Sequence, residues 1–415
     1  MSAIIGEKIV ELDFAPTEYT LRSGIEKNRM RRINTIFVVI LLLAGCGENK
    51  QPNDDLIIVD VSKSYPMKEL ILQDFMDVEY IALETTDEFI TQGLVQDVGK
   101  EYVLVKNLIN DGDLFIFDRK TGKGLRKINR KGQGPEEYAS LNGGIILDEA
   151  NGEIFVKSPP NKYLVYDLYG QFKRSLDFSR DVSSVTDFDK DNFIYYDISD
   201  YYNKGEDRSK SYHVLISKSD GSITREIFIP FKTINTPVVQ IGDGFPAQGY
   251  YQHMRLSQDN CILMEPSSDT LYNYTPDGTL SPFLVRTPST PTMETEVFLY
   301  LGIFTDRYYF MQTFQNTFDF EKRIGFNTAP LMYDKEENAL FQFTVYNDDF
   351  VEKKPVSMLR RSMNREIQEG TKIDADQLVD NYKKGQLKDG KLKEIASKLD
   401  EDDNPVIMLI KHRSQ

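Results

Sequence analysis

LFIFDRKTGKGLRKI, residues 114–128, carries the pattern that decides the fold. An apolar-aromatic run, Leu114 to Phe117, meets a tight polar turn on Gly122 and then a second strand-like run. The unit recurs as YLVYDLYGQFKRSL (163–176), HVLISKSDGSITREI (213–227), TLYNYTPDGTLSPFL (270–284) and, more loosely, PLMYDKEENALFQFTV (330–345). In the first four the turn carries Gly122, Gly170, Gly221 and Gly278. Asp220-Gly221 and Asp277-Gly278 are dipeptides that supply the positive φ of tight hairpins. The glycines are 48, 51 and 57 residues apart, and periods of about 40–50 residues with several short strands each mark propeller blades. Two more strand-like runs precede each hairpin: LVQDVG and YVLVKN, GGIILD and EIFVKS, VTDFD and NFIYYD, MRLSQ and CILMEP. That makes four strands per blade. Independent hairpins in a sandwich are the competing fold, and the regular period argues against them.

Four clear blades and one looser one leave the chain ends to close the ring. The run Pro405 to Lys411 is a strand without a hairpin, and Leu56–Val61 and Val78–Leu83 (VEYIAL) are also unpaired. These ends are expected to join in a composite sixth blade, which removes the open sheet edge. Residues 357–400 are rich in helix formers, and Leu392, Ile395, Ala396 and Leu399 fall at helical spacing, which predicts one or two helices against the ring. The expected fold is all-β. It is a six-bladed β-propeller of four-stranded antiparallel blades over residues 56–415, with 357–400 as a helical insertion.

Ahead of the ring, MRRINTIFVVILLLAGC (30–46) has the parts of a secretory signal. Arg31 and Arg32 are basic, and Ile36 to Leu43 is apolar but far short of the about 20 residues that span a bilayer. Leu43-Ala44-Gly45-Cys46 matches a lipobox, so cleavage before Cys46 and its lipidation are expected, with 46–55 as a polar tether. A signal peptide works at the N-terminus, so residues 1–29 read as a mis-assigned upstream extension and Met30 as the start. Gly47 gives no inner-membrane retention signal, which points to an outer-membrane lipoprotein whose facing side stays open.

Aromatic residues reach 12% through 23 Tyr and 25 Phe with no Trp, a bias that suits pleated strands. The formal charge of −15 repels phosphate backbones and speaks against nucleic acid as a partner. Only Cys46 and Cys261 exist, so with Cys46 lipidated no disulfide framework is available, and Cys261 reads as a small buried hydrophobe. Three histidines, His213, His253 and His412, are expected on different blades, too scattered for a metal site. Asp187, Asp189 and Asp191 alternate as in a calcium loop but lack its glycine and terminal glutamate. No catalytic residue, cofactor or metal is assigned.

At KINRKGQGPEEY (127–138) the chain resembles the six-bladed β-propeller lipoproteins of Bacteroides-type bacteria, which carry a GxGPGEY-like loop after the first blade. Glu136 stands where that family often has Gly. VEYIALETTDE and DEDDNPVIMLIKHR also look like that family's ends, so the resemblance covers about residues 54–415. It implies a ring similar to NHL and TolB-type propellers and carries over no catalytic residues. Physically, Gly132 and Gly134 are read as opening a backbone path closed to residues with Cβ, and Pro135 as stiffening it. With Glu137 and Tyr138 the loop is expected to lock one blade to the next. A ligand rim of Arg130, Lys131, Glu136 and Tyr138 is the alternative.

Blade connectivity puts the long loops 129–141, 199–212, 229–250, 285–297 and 312–329 on one face, where function normally sits. Tyr201, Tyr202, Phe245, Tyr250 and Tyr251 are the expected ligand face, since tyrosine rings stack on sugars or pack on peptides. The leading reading is a monomeric, non-catalytic binding or scaffolding propeller for a glycan, peptide or protein, held to the membrane by lipid. The runner-up is a metal-dependent hydrolase or lyase with a site in the axial channel.

Overall fold

In the first strand of each hairpin both side-chain parities are apolar, a pattern that requires burial on both faces. A computed structural model, which describes residues 56–413 apart from 160, 181, 207–209, 241–243, 245 and 258–259, and backbone only at 182–184, shows how. Leu114 and Ile116 enter the core shared with the next blade, while Phe115 and Phe117 enter the core shared with the previous one. Leu164 and Tyr166 point one way, and Tyr163 and Val165 the other. The described residues form six such cores, one at each boundary of a closed ring of six blades.

Blades one to four begin with the inner strands Leu94–Val98, Ile145–Asp148, Val182–Asp187 and Met254–Leu256, and each adds three antiparallel strands outward. Blade five begins with Val297–Phe304. Its hairpin turn uses Asn338, at φ 49, where the others use glycine. The turn glycines Gly122, Gly170, Gly221 and Gly278 all have φ between 72 and 91, and a Cβ on any of them would meet the preceding blade. A Cβ on Gly122 would lie 1.9 Å from the Ala82 carbonyl oxygen. These glycines thus close the hairpin and let it seat on its neighbour.

The sixth blade is composite, as expected, but it has three strands. Ile367–Ile373 pairs with Val406–Lys411, which pairs with Asp77–Ala82. Leu56–Val61 does not join it. Ile57–Asp60 lies parallel on the outer strand of blade four, Leu280–Thr287, with Val59 buried and Ile58 outward. Met67–Ile71 does the same on blade five. Both outer strands are long enough to leave costly bare edges, and the N-terminal segment covers them in passing.

Only part of 357–400 is helical, at Ala375–Lys383 and Lys391–Ala396. Residues 367–373 form a strand because ring closure outweighs their local preference. Residues 357–366, also expected to be helical, have no regular structure.

Candidate functional site

Where the other blades place an innermost strand, blade six sends 357–366 across the axis of the ring. Its backbone carbonyls are taken by donors on other blades, which keeps them out of a helix. The Ile303 amide donates to the Met358 oxygen at 2.8 Å, and Gln252 Nε2 to the Leu359 oxygen at 2.6 Å. Arg255 donates to the Arg360 oxygen. Asn364 Nδ2 reaches the Val98 oxygen at 2.6 Å. Arg365 donates to the carbonyls of Ser257, Asn260 and Phe188 at 2.9–3.0 Å. One short segment is therefore tied to blades one, three, four and five. Gly302 allows the approach, since a Cβ there would sit 2.2 Å from the Met358 oxygen.

Beside this segment lies a cavity of about 230 Å³, lined among others by Asp97, Tyr163, Thr186, Asp187, Arg361 and Ser362. Burial pushes the Asp97 carboxyl up to about 7, although the Val98 and Leu147 amides each donate to it at 2.8 Å. Glu369, buried near Arg255 and 3.2 Å from Arg360, is likewise pushed up to about 7 by burial. Asp187 pairs with Lys218 at 2.7 Å, and Lys218 also holds Asp148 at 3.0 Å. Arg361 donates to the Val185 carbonyl and the Thr186 hydroxyl and stays exposed to the channel.

The expected tyrosine face divides. Tyr202 and Tyr250 are 56% and 65% exposed, whereas Tyr201 and Tyr251 are 3% and 9% exposed and belong to the inter-blade cores. Phe245 lies outside the described residues. Tyr251 is held inside by donating its hydroxyl to the Leu299 oxygen at 3.0 Å, and Tyr201 packs edge-on to Tyr196 and His253. Tyr202 donates to Gln248 Oε1 at 2.9 Å, and Tyr250 stands edge-on to Tyr300. Period alone does not tell which loop residues turn inward.

The three histidines do sit on different blades, but two meet. His213 Nε2 lies 2.8 Å from the His253 oxygen, and the His253 ring stacks on Tyr196 with centroids 3.6 Å apart. Tyr196 donates to the buried carboxyl of Glu265, which burial pushes up to about 7, while burial holds His213 down at about 4. His412 lies apart, lining a cavity of about 200 Å³ with Asp306 and Lys335. Among the described residues no three or more His, Cys, Asp or Glu side chains are grouped to hold a metal. Asp189 accepts the amides of Asp191 and Asn192 in a turn. Cys261 is fully buried, and its thiol is pushed up to about 12.

The loop Gly132–Tyr138 spans blades one and two. Tyr138 is buried, accepts the Arg130 amide at 2.9 Å, and donates to the Gly112 oxygen at 2.8 Å. Tyr166 of blade two donates to the Glu136 oxygen, and Arg130 Nε to the Gly170 oxygen at 2.7 Å. Gly132 and Gly134 are not in the left-handed region. They are small for another reason: the Glu137 carboxylate folds back to accept the Gly134 amide at 2.8 Å, and a Cβ on Gly132 would strike it. Pro135 sits exposed in the turn.

Sequence reasoning missed Arg255, Arg361, Asp97, Glu265 and Glu369. One signal was available, three arginines within six residues (360, 361 and 365) of an acidic chain, but the stretch reads as part of the helical insertion.

Compared with known proteins, the ring is similar to that of a Bacteroides fragilis protein described as exported, with a TM-score of 0.53 at 15% identity, covering 86% of this chain and all of the other. A DUF4221-family protein from Bacteroides vulgatus gives 0.43 at 10% identity, covering 83% and 100%. Virginiamycin B lyase from Staphylococcus aureus gives 0.34 at 10%, covering 81% and 100%. At 15% identity the first of these likenesses shows the fold alone. No curated protein matches the sequence, and no helix among the described residues is long and apolar enough to cross a membrane. The DUF5128 profile, that of a six-bladed β-propeller family, matches residues 47–366, most of the sequence, and the chain belongs to that family.

Proposed function

We propose that the protein is an exported, lipid-anchored propeller that acts as a non-catalytic binding protein for a glycan, peptide or protein ligand. The observation that carries the reading is the exposed pair Tyr202 and Tyr250, whose long loops belong to the end of the ring that also admits the axial segment. Tyr250 lies close enough to Arg255 and Arg361 to interact with both charges. Flat amphipathic rings over a polar cavity suit ligands with an apolar face and a polar edge.

The anchor rests on Arg31, Arg32, Ile36–Leu43 and the Leu43–Cys46 lipobox. Leu56 lines a groove on the flank of blade four, so ten extended residues would hold that flank within about 35 Å of the bilayer. In the native host, Cys46→Ser is expected to move the protein from the membrane to the soluble fraction. A glycan and peptide array, probed with the wild type and with Tyr202→Ala/Tyr250→Ala, tests the binding face. A ligand whose affinity falls about tenfold or more in the double variant supports it. Unchanged affinity for every ligand bound by the wild type removes it.

A further inference from the structure

Arg361 lines the axial cavity and reaches across it to blade three. Its guanidinium uses Nη2 for the Val185 oxygen and the Thr186 hydroxyl. Among the described residues no carboxylate comes within 4.0 Å of it. The nearby acids are already engaged. Asp97 receives two backbone amides, and Asp187 is paired with Lys218. Lys157, on the second strand of blade two, lies near enough to feel the Arg361 charge. A guanidinium stays protonated wherever it is placed, so this charge is permanent. A channel guanidinium with no carboxylate paired to it offers an anion a charge-assisted partner.

We propose that the axial cavity beside Arg361 is a binding site for a small carboxylate, held by the guanidinium with the Thr186 and Ser362 hydroxyls, with the exposed Tyr250 nearby. This deepens the binding reading above and rests on it. The size of the cavity sets the body of the ligand. About 230 Å³ holds roughly seven waters, which corresponds to a monosaccharide acid or the acidic end of a short peptide. The guanidinium recognises the charge, the hydroxyls the polar edge, and the tyrosine the remainder.

The test is calorimetric titration of the full folded domain at low salt with two acids, glucuronate and N-acetylalanine, and their neutral counterparts, glucose and N-acetylalaninamide. The expected result is that at least one acid binds about tenfold or more tighter than its neutral partner, and that Arg361→Gln abolishes the difference. Which acid binds identifies the source of the carboxylate. Because Arg361 also bonds to blade three, Arg361→Lys is the companion variant, keeping the charge and expected to keep part of the preference. The acid-against-neutral comparison on the wild type needs no variant at all. Equal binding of acid and neutral forms overturns charge recognition while leaving a ligand site. Undiminished acid binding by Arg361→Gln, or no acid binding at about 10 mM, overturns the site. Loss of the array ligands in Tyr202→Ala/Tyr250→Ala is read separately, so the outer face stands or falls on its own result.

Discussion

The boundary between blades one and two and the boundary between blades three and four are built from the same strands and differ in what they bury. At the first, Leu104, Leu114, Ile116, Leu147, Ile154 and Leu164 form an apolar core, and the hydroxyls of its two buried tyrosines, Tyr138 and Tyr166, are hydrogen-bonded. At the second, Tyr196, Tyr212, His213, His253 and Glu265 lie among Ile194, Leu256 and Leu263. The ring needs only the first kind of boundary to stand. Buried ionisable groups of the second kind cost stability that packing alone would avoid, and they lie beside the loops that carry Tyr202 and Tyr250. Within one repeating architecture, the two boundaries meet the same packing need at different cost.

The largest expected effect attacks the apolar boundary. Tyr138→Ala removes a fully buried ring, its edge-on contact with Tyr166 at 5.9 Å and two hydrogen bonds, a loss of about 3–5 kcal/mol. Urea unfolding reads it directly. Tyr138→Phe separates the hydroxyl from the ring and is expected to cost about 1–2 kcal/mol. If Tyr138→Ala lost less than Tyr138→Phe, the loop would not be a lock and the contrast between the two boundaries would fail.

Glu265→Gln probes the polar boundary. With its folded pKa raised to about 7 by burial, Glu265 holds its proton more tightly folded than unfolded, where about 4.3 is normal. The folded state is therefore favoured most below about pH 4.3, and that advantage is lost as the pH rises through 7. The neutral amide removes this dependence. The variant is expected to match the wild type near pH 5 and to exceed it by about 2–3 kcal/mol at pH 8. Asp97 and Glu369 contribute slopes of the same sign, so the wild-type curve should flatten in part only. An unaltered pH slope in Glu265→Gln would show that this carboxyl is not held as a neutral acid.

The same contrast explains what could be read before any coordinates. Blades one to four were legible because each hairpin repeats a doubly buried strand and a turn glycine, and both signals are local. The axial segment was not, since Met358, Arg360 and Arg361 prefer a helix locally, and only the ring, through Ile303, Arg255 and Val185, makes them anything else. The strand Ile57–Asp60 was misplaced for a related reason: its apolar alternation says that it pairs but not with which edge. Tyr201 and Tyr251 were misread because their burial depends on His253 and Leu299 from other blades. Period fixes strands, and tertiary partners fix sites.

The smallest effect sharpens the reading of the loop itself. Gly132 and Gly122 each look indispensable, yet the physical reasons differ. At Gly122 the backbone has φ 72 and the obstruction is the Ala82 carbonyl, which cannot move without shifting a strand. At Gly132 the obstruction is the end of the flexible Glu137 side chain, which can swing to solvent once it releases the Gly134 amide. Gly132→Ala should therefore cost about 1 kcal/mol, the value of one solvent-accessible capping bond, and Gly122→Ala clearly more. Adding Glu137→Ala to Gly132→Ala should bring little further loss, because the first change has already broken the bond that the second removes. Additive losses in that cycle would mean the carboxylate supports the loop in some other way, and the lock would rest on Tyr138 alone.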